Sequence, residues 1–191
     1  MNLIEIGQKH ATDKAEHGFL AHYQSRWGHL RHEPITLLEI GTWDGRSMKT
    51  WREYFAQATV VGMDSHPQWE PKEGDNIVFY KGDQENKEDL LRVCTQGPFD
   101  IIIDDGGHLP SNHIASFAHL WSWVKPGGWY AIEDCFTLFN ECWTKPGDRT
   151  ILDVMNEDWI QPVLCGASDM VEIQIVGGGL NDGLIFFRKR S

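Results

Sequence analysis

Two short runs hold the residues best suited to chemistry, Asp104-Asp105-Gly106-Gly107-His108 and Glu133-Asp134. In the first, a carboxylate pair, a flexible turn and an imidazole converge within a few positions, and the second supplies two further carboxylates. Hard oxygen donors with no cysteine beside the first run suit Mg²⁺, or Mn²⁺ in its place, better than Zn²⁺. His108, next to that cluster, is suited to a general base that removes a proton from a hydroxyl made more acidic by the cation. A lone histidine more often caps or packs, and that plainer reading is kept for His113 and His119.

A third segment, Glu39-Ile40-Gly41-Thr42-Trp43-Asp44-Gly45-Arg46-Ser47, has the glycine spacing of a strand-to-helix turn that lets backbone approach a ligand. It is not the GxGxxG of dinucleotide sites. Trp43 and Asp44 put bulk and negative charge where a pyrophosphate would lie, which favours a nucleoside without phosphates, such as S-adenosylmethionine. Asp64 is placed to accept from ribose hydroxyls, and Asp83-Gln84 offers an acceptor and an amide for an adenine edge. Asp83 taken alone reads as a helix N-cap.

The elements that must position these groups follow from hydrophobic patterning. Apolar runs rich in β-branched residues at 35–41, 59–64, 76–83, 99–105 and 129–134 alternate with helix-like stretches at 46–56, 85–94, 111–124 and 150–164. Runs at 171–177 and 184–190 flank a turn rich in Gly, Asn and Asp and predict a terminal hairpin. The expectation is an α/β domain over 35–191 with a mostly parallel sheet, preceded by a helical N-terminal cap over 1–34. Four of the first five strands end in a carboxylate, and the first ends in Gly41 two residues after Glu39, along the edge where open α/β sheets bind ligands. Aromatic residues at 136–143 read mainly as core, or else as a lid over an acceptor pocket.

Composition narrows the class. A net charge of -11 over 191 residues opposes a general nucleic-acid role, and the basic Arg188-Lys189-Arg190 reads as the solvated end of a last strand. Four cysteines without CxxC spacing predict reduced thiols in a cytoplasmic protein. With no basic leader and no long unbroken apolar run, neither export nor membrane association is expected. Self-association into a homo-oligomer is left open.

In order along the chain, TDKAEHGFLAHY (12–23), LLEIGTWDGRSMKTWREYF (37–55), GDQ (82–84), FDIIIDDGGH (99–108) and KPGGWYAIED (125–134) make the sequence resemble the Mg²⁺-dependent sugar O-methyltransferases of antibiotic biosynthesis, of the mycinamicin-type macrolide and rhamnosyl-tetracenomycin kind. It departs from them at Gly107, where serine is usual, and at Trp43-Asp44, where a glycine-rich stretch is usual. The resemblance implies a class I methyltransferase, Rossmann-like fold of seven strands with the last antiparallel, and methyl transfer from S-adenosylmethionine to a small-molecule hydroxyl. It implies metal ligation by Asp105, Glu133 and Asp134 and proton removal by His108. It also implies a cofactor site drawn from Thr12, Glu39, Gly41, Gly45, Ser47, Asp64, Asp83, Gln84 and Asp104, with His17 a weaker candidate. Competing readings are a catechol or phenol O-methyltransferase, a nucleoside-binding accessory protein without turnover and, third, a dinucleotide oxidoreductase.

Overall fold

The computed structural model describes residues 1–154, 170–179 and 182–191. Strands β1 (Thr36–Ile40), β2 (Thr59–Asp64), β3 (Ile77–Lys81), β4 (Phe99–Asp104), β5 (Val124–Ile132), β6 (Met170–Gly179) and β7 (Asp182–Lys189) form one sheet in the order β3-β2-β1-β4-β5-β7-β6. The pairs β3-β2, β2-β1, β1-β4 and β4-β5 are parallel, while β7 runs antiparallel to both β5 and β6. The helices are α1 (Leu3–His10), α2 (Asp13–Glu16), α3 (Phe19–Trp27), α4 (Arg46–Tyr54), α5 (Lys87–Cys94), α6 (Pro110–Leu120) and the short α7 (Ile151–Val154). The helix expected over 150–164 is seen in its first turn, and 155–164 lie outside the described residues.

The apolar runs form central strands because both sheet faces are covered. On one face Leu38, Ile40, Ile102 and Tyr130 pack with Leu90 and Val93 of α5 and Phe117 and Leu120 of α6. On the other, Leu37, Ile101, Ile103 and Phe186 pack with Leu3, Ile6, Tyr23 and Trp27 of the N-terminal helices and Trp51 of α4. The N-terminal helices therefore share a core with the sheet. Fully burying a side chain such as Phe186 contributes about 1.5–3 kcal/mol.

Register places the carboxyl ends together. Ile40 lies beside Met63 and Asp104, and Asp104 beside Ile132, so the residues that follow each strand leave the sheet at one level. Helix α5 is capped by Asn86, whose side chain accepts from the backbone N–H groups of Glu88 and Asp89. The boundaries differ most from the sequence reading at β5, which begins at Val124, so that Pro126-Gly127-Gly128, read as a break before the strand, falls inside it. Phe99 pairs with Val124 and Ile101 with Trp129, and this shift in register takes up the extra residues around a proline that cannot donate to the ladder.

Candidate functional site

A cavity of about 490 Å³ opens at the carboxyl edge of the sheet, lined among others by Gly41, Trp43, Asp64, Asp83, Gln84, Asp105, His108 and Asp134. Gly41, with φ of 80°, makes the β1 turn possible, since a Cβ there would sit 1.9 Å from the Asp105 carbonyl oxygen. The same turn is tied to β2. Asp64 Oδ2 accepts from the N–H groups of Thr42 and Trp43 at 2.9 and 2.7 Å, and its Oδ1 accepts from His66 N–H at 2.7 Å. Asp64 thus shapes the wall as well as facing the cavity. Trp43 stands 62% exposed at the rim.

The turn after β4 is held from beneath. Asp104 is fully buried, accepting from Gln84 Nε2 at 3.1 Å, from Tyr130 OH at 3.0 Å and from the Ser116 hydroxyl of α6. Gln84 in turn accepts from Gly107 N–H at 2.6 Å, and a Cβ on Gly106 would lie 1.8 Å from the Gln84 oxygen. The pair was expected to face a ligand, yet in the structure Asp104 points into the core and both ends of the Gln84 amide hold protein groups. Asp83 accepts from Glu85 N–H at 2.9 Å in a turn ahead of Asn86, which is the residue that caps α5.

His108 and Asp134 face each other across the cavity, His108 Nε2 lying 3.6 Å from Asp134 Oδ2. Both adopt left-handed backbone conformations, with φ of 57° and 53°. Such conformations in non-glycine residues cost of the order of 1 kcal/mol or more and concentrate at functional sites. Burial lowers the His108 pKa below the usual imidazole value, against the opposing pull of Asp134 and Asp104. His108 is therefore neutral, and able to accept a proton, around neutral pH.

Asp105, His108 and Asp134 each bring one ligand atom within 4.8 Å of the others. Asp134 Oδ1 and His108 Nδ1 are buried without a hydrogen-bond partner. Two carboxylates with an unpartnered oxygen are a donor set that fits a hard divalent cation. Glu133, the third expected ligand, is turned the other way: its Oε1 accepts from Tyr23 OH at 2.6 Å and its Oε2 pairs with Lys14 Nζ at 2.9 Å. Lys14, 2% exposed, also pairs with Glu39 at 3.2 Å and with Asp105. Burial by itself would lower the Lys14 pKa, but Asp105, Glu133 and Glu39 together hold it well above the usual range. Burial pushes Glu133 up to about 7, despite Lys14 and Tyr23.

The remaining expected residues lie around this core. Glu39 is fully buried and accepts from Trp51 Nε1 at 2.8 Å, while Thr12 and Ser47 are buried at the starts of α2 and α4. Gly45 lies under the Trp69 ring, to which a Cβ would come within 2.2 Å, and His17 is exposed with its ring edge on Phe19. Of the expected set, Gly41, Asp64, Asp83, Gln84, Asp105, His108 and Asp134 line the cavity, and Thr12, Glu39, Gly45, Ser47, Asp104 and Glu133 do not. Sequence reasoning passed over Lys14 and Tyr23. Lys14 was in view within Thr12-Asp13-Lys14, but a lysine in a short helix reads as solvated until three carboxylates are found around it.

Residues 38–135 match the family described as "methyltransferase domain". The chain is 36% identical over 148 residues to 8-demethyl-8-(2-methoxy-alpha-L-rhamnosyl)-tetracenomycin-C 3'-O-methyltransferase of Streptomyces olivaceus, covering 72% of this chain and 38% of that one. It is 34% identical to mycinamicin VI 2''-O-methyltransferase of Micromonospora griseorubida, covering 72% of this chain and 37% of that one. The chain thus spans well under half the length of these relatives. Among solved structures, the MycE methyltransferase of the mycinamycin pathway in complex with Mg and SAH superimposes with a TM-score of 0.85 at 29% identity, covering 100% of this chain and 55% of that one. MycE in complex with Mg, SAH and mycinamycin VI gives 0.82 at 27% identity, covering 100% and 55%.

Proposed function

Because the chain belongs to the methyltransferase domain family, we propose that it moves the methyl group of S-adenosylmethionine to a hydroxyl of a sugar on a glycosylated natural product, with Mg²⁺ or Mn²⁺ as its cation. The observation that carries this reading is the meeting of Asp105, His108 and Asp134 at the mouth of the cavity at the strand ends. The names of the similar enzymes support the sugar, and the Mg and SAH in the similar crystal structures support the cation and donor.

In this reading Asp105 and Asp134 hold the cation, with Glu133 behind them. When bound, the cation supplies a Lewis acid that lowers the pKa of an acceptor hydroxyl. The sulfonium of S-adenosylmethionine supplies an electrophilic methyl, so the new C–O bond forms as the C–S bond breaks. His108 takes the proton of the acceptor hydroxyl on its neutral imidazole. Gly41, Asp64 and Asp83 bind the nucleoside end along the cavity wall, while Gln84, Glu39, Thr12, Ser47, Gly45 and Asp104 keep that wall in shape. The turns shield the reacting atoms from water and hold them near one another, which accounts for much of the rate.

A second cavity, of about 710 Å³, is lined by Leu109, Pro110 and Ile114 at the start of α6 and by Trp143, Lys145 and Arg149. Leu109 directly follows His108, and Leu109 and Trp143 are 42% and 39% exposed. This groove takes the apolar body of the acceptor, which gives the 136–143 segment a covering role at its far end. Its near end is fixed, because Thr137 and Leu138 are buried.

The test is His108→Ala. Turnover of labelled S-adenosylmethionine with a rhamnosylated or macrolide acceptor should fall by about 10²–10⁴-fold, while calorimetric affinity for S-adenosylhomocysteine stays unchanged. Full activity in the variant would remove His108 from the proposed role.

A further inference from the structure

Lys14 belongs to the N-terminal helical segment, yet its ammonium group ends among three carboxyl groups at the carboxyl ends of β1, β4 and β5. The side chain is 2% exposed, so its charge is balanced mainly by the carboxyl groups of Glu39, Glu133 and Asp105. One positive charge among three carboxyl groups leaves the cluster short of cation.

Asp105 belongs to two groups at once. Its Oδ2 bonds the Lys14 ammonium, and it is also the residue that joins His108 and Asp134 in the candidate cation site. A carboxylate already bonded to an ammonium has less charge to offer a second cation, and two cations that share it repel each other across a short, water-poor gap. We propose that Lys14 is a built-in rival of the divalent cation, sharing Asp105 with it and thereby setting the cation affinity of the site low. This inference rests on the cation reading given above. Since Lys14 lies on α2, drawing Asp105 toward a divalent cation also weakens the tie that holds residues 12–17 to the sheet edge.

Calorimetric titration of magnesium chloride, repeated with manganese chloride, into the wild-type protein and Lys14→Met tests it. The variant keeps the stem's bulk and removes the charge, and it should bind either cation at least about ten-fold more tightly than wild type. Equal or weaker binding would overturn the inference, because a lysine that only organises the ligands would leave affinity the same or lower it when lost. Binding of neither cation by either protein would instead overturn the cation reading beneath it. If Lys14→Met does not fold, hydrogen exchange of the wild-type protein decides: faster exchange of amides 12–17 on adding Mg²⁺ supports competition, and unchanged or slower exchange overturns it.

Discussion

Replacing Tyr23 with phenylalanine removes one hydroxyl from beneath the site and leaves the ring, whose stacking on Trp27 at 4.4 Å is retained. The lost bond is the 2.6 Å donation to Glu133 Oε1, in a pair shielded from solvent. A hydrogen bond to a charged acceptor contributes about 1.5–3 kcal/mol and one to a neutral acceptor about 0.5–1.5 kcal/mol, so the cost depends on the ionisation of Glu133. Its folded pKa of about 7 lies above the ordinary 4.5. A carboxyl raised in this way stabilises the fold most at low pH, and that contribution is lost as pH rises from about 4.5 through about 7. The Tyr23 bond holds Glu133 lower than it would otherwise lie, so Tyr23→Phe raises it further and deepens the loss on the alkaline side.

Thermal unfolding at about pH 8.5 and about pH 5.5 reads both numbers, because 1 kcal/mol corresponds to about 2–4 °C in a domain of this size. The account predicts a fall of about 4–8 °C at the higher pH and about 2–4 °C at the lower. The difference, about 1 kcal/mol, corresponds to a rise of somewhat under one unit in the Glu133 pKa. An equal fall at both pH values would refute the ionised Tyr23–Glu133 bond, and no fall at either would refute the bond itself.

Gly41→Ala should cost at least about 2 kcal/mol in a thermal melt, since its φ of 80° is unfavourable to alanine and the new Cβ meets the Asp105 carbonyl rather than a side chain that could swing aside. Asp134→Asn should weaken Mg²⁺ binding by about ten-fold or more in a calorimetric titration, with S-adenosylhomocysteine affinity kept. Removing divalent cations with a chelator should abolish methyl transfer, and adding back Mg²⁺ or Mn²⁺ should restore it. The acidic limb of the pH profile of kcat/KM should fall below 6.5, because burial depresses His108, and a limb above that value would contradict its setting.

The sheet was legible in the chain because central parallel strands are buried on both faces, so β4 carries Ile101, Ile102 and Ile103 in succession, apolar toward both faces. The carboxylates at the strand ends were legible for the same reason, each marking where an apolar run stops. Their directions were not. Asp104 and Asp105 are neighbours in sequence, yet one anchors Gln84, Ser116 and Tyr130 in the core while the other faces the cavity and Lys14. Neighbouring residues leaving a strand point to opposite sides, and which side is polar depends on partners distant in sequence. Lys14 and Tyr23 were hidden by separations of 119 and 110 residues from Glu133. The early start of β5 at Val124 was hidden because Pro126-Gly127-Gly128 carries a breaker signal that the register shift overrides.

The central claim is a cation-dependent methyl transfer at the Asp105–His108–Asp134 site. It is tested most directly by incubating the protein with methyl-labelled S-adenosylmethionine and a rhamnosylated or macrolide acceptor, with Mg²⁺ or with chelator, and following label by mass spectrometry. The account predicts one labelled methyl on a sugar hydroxyl with Mg²⁺ and none with chelator. Label transferred equally well in chelator would contradict it.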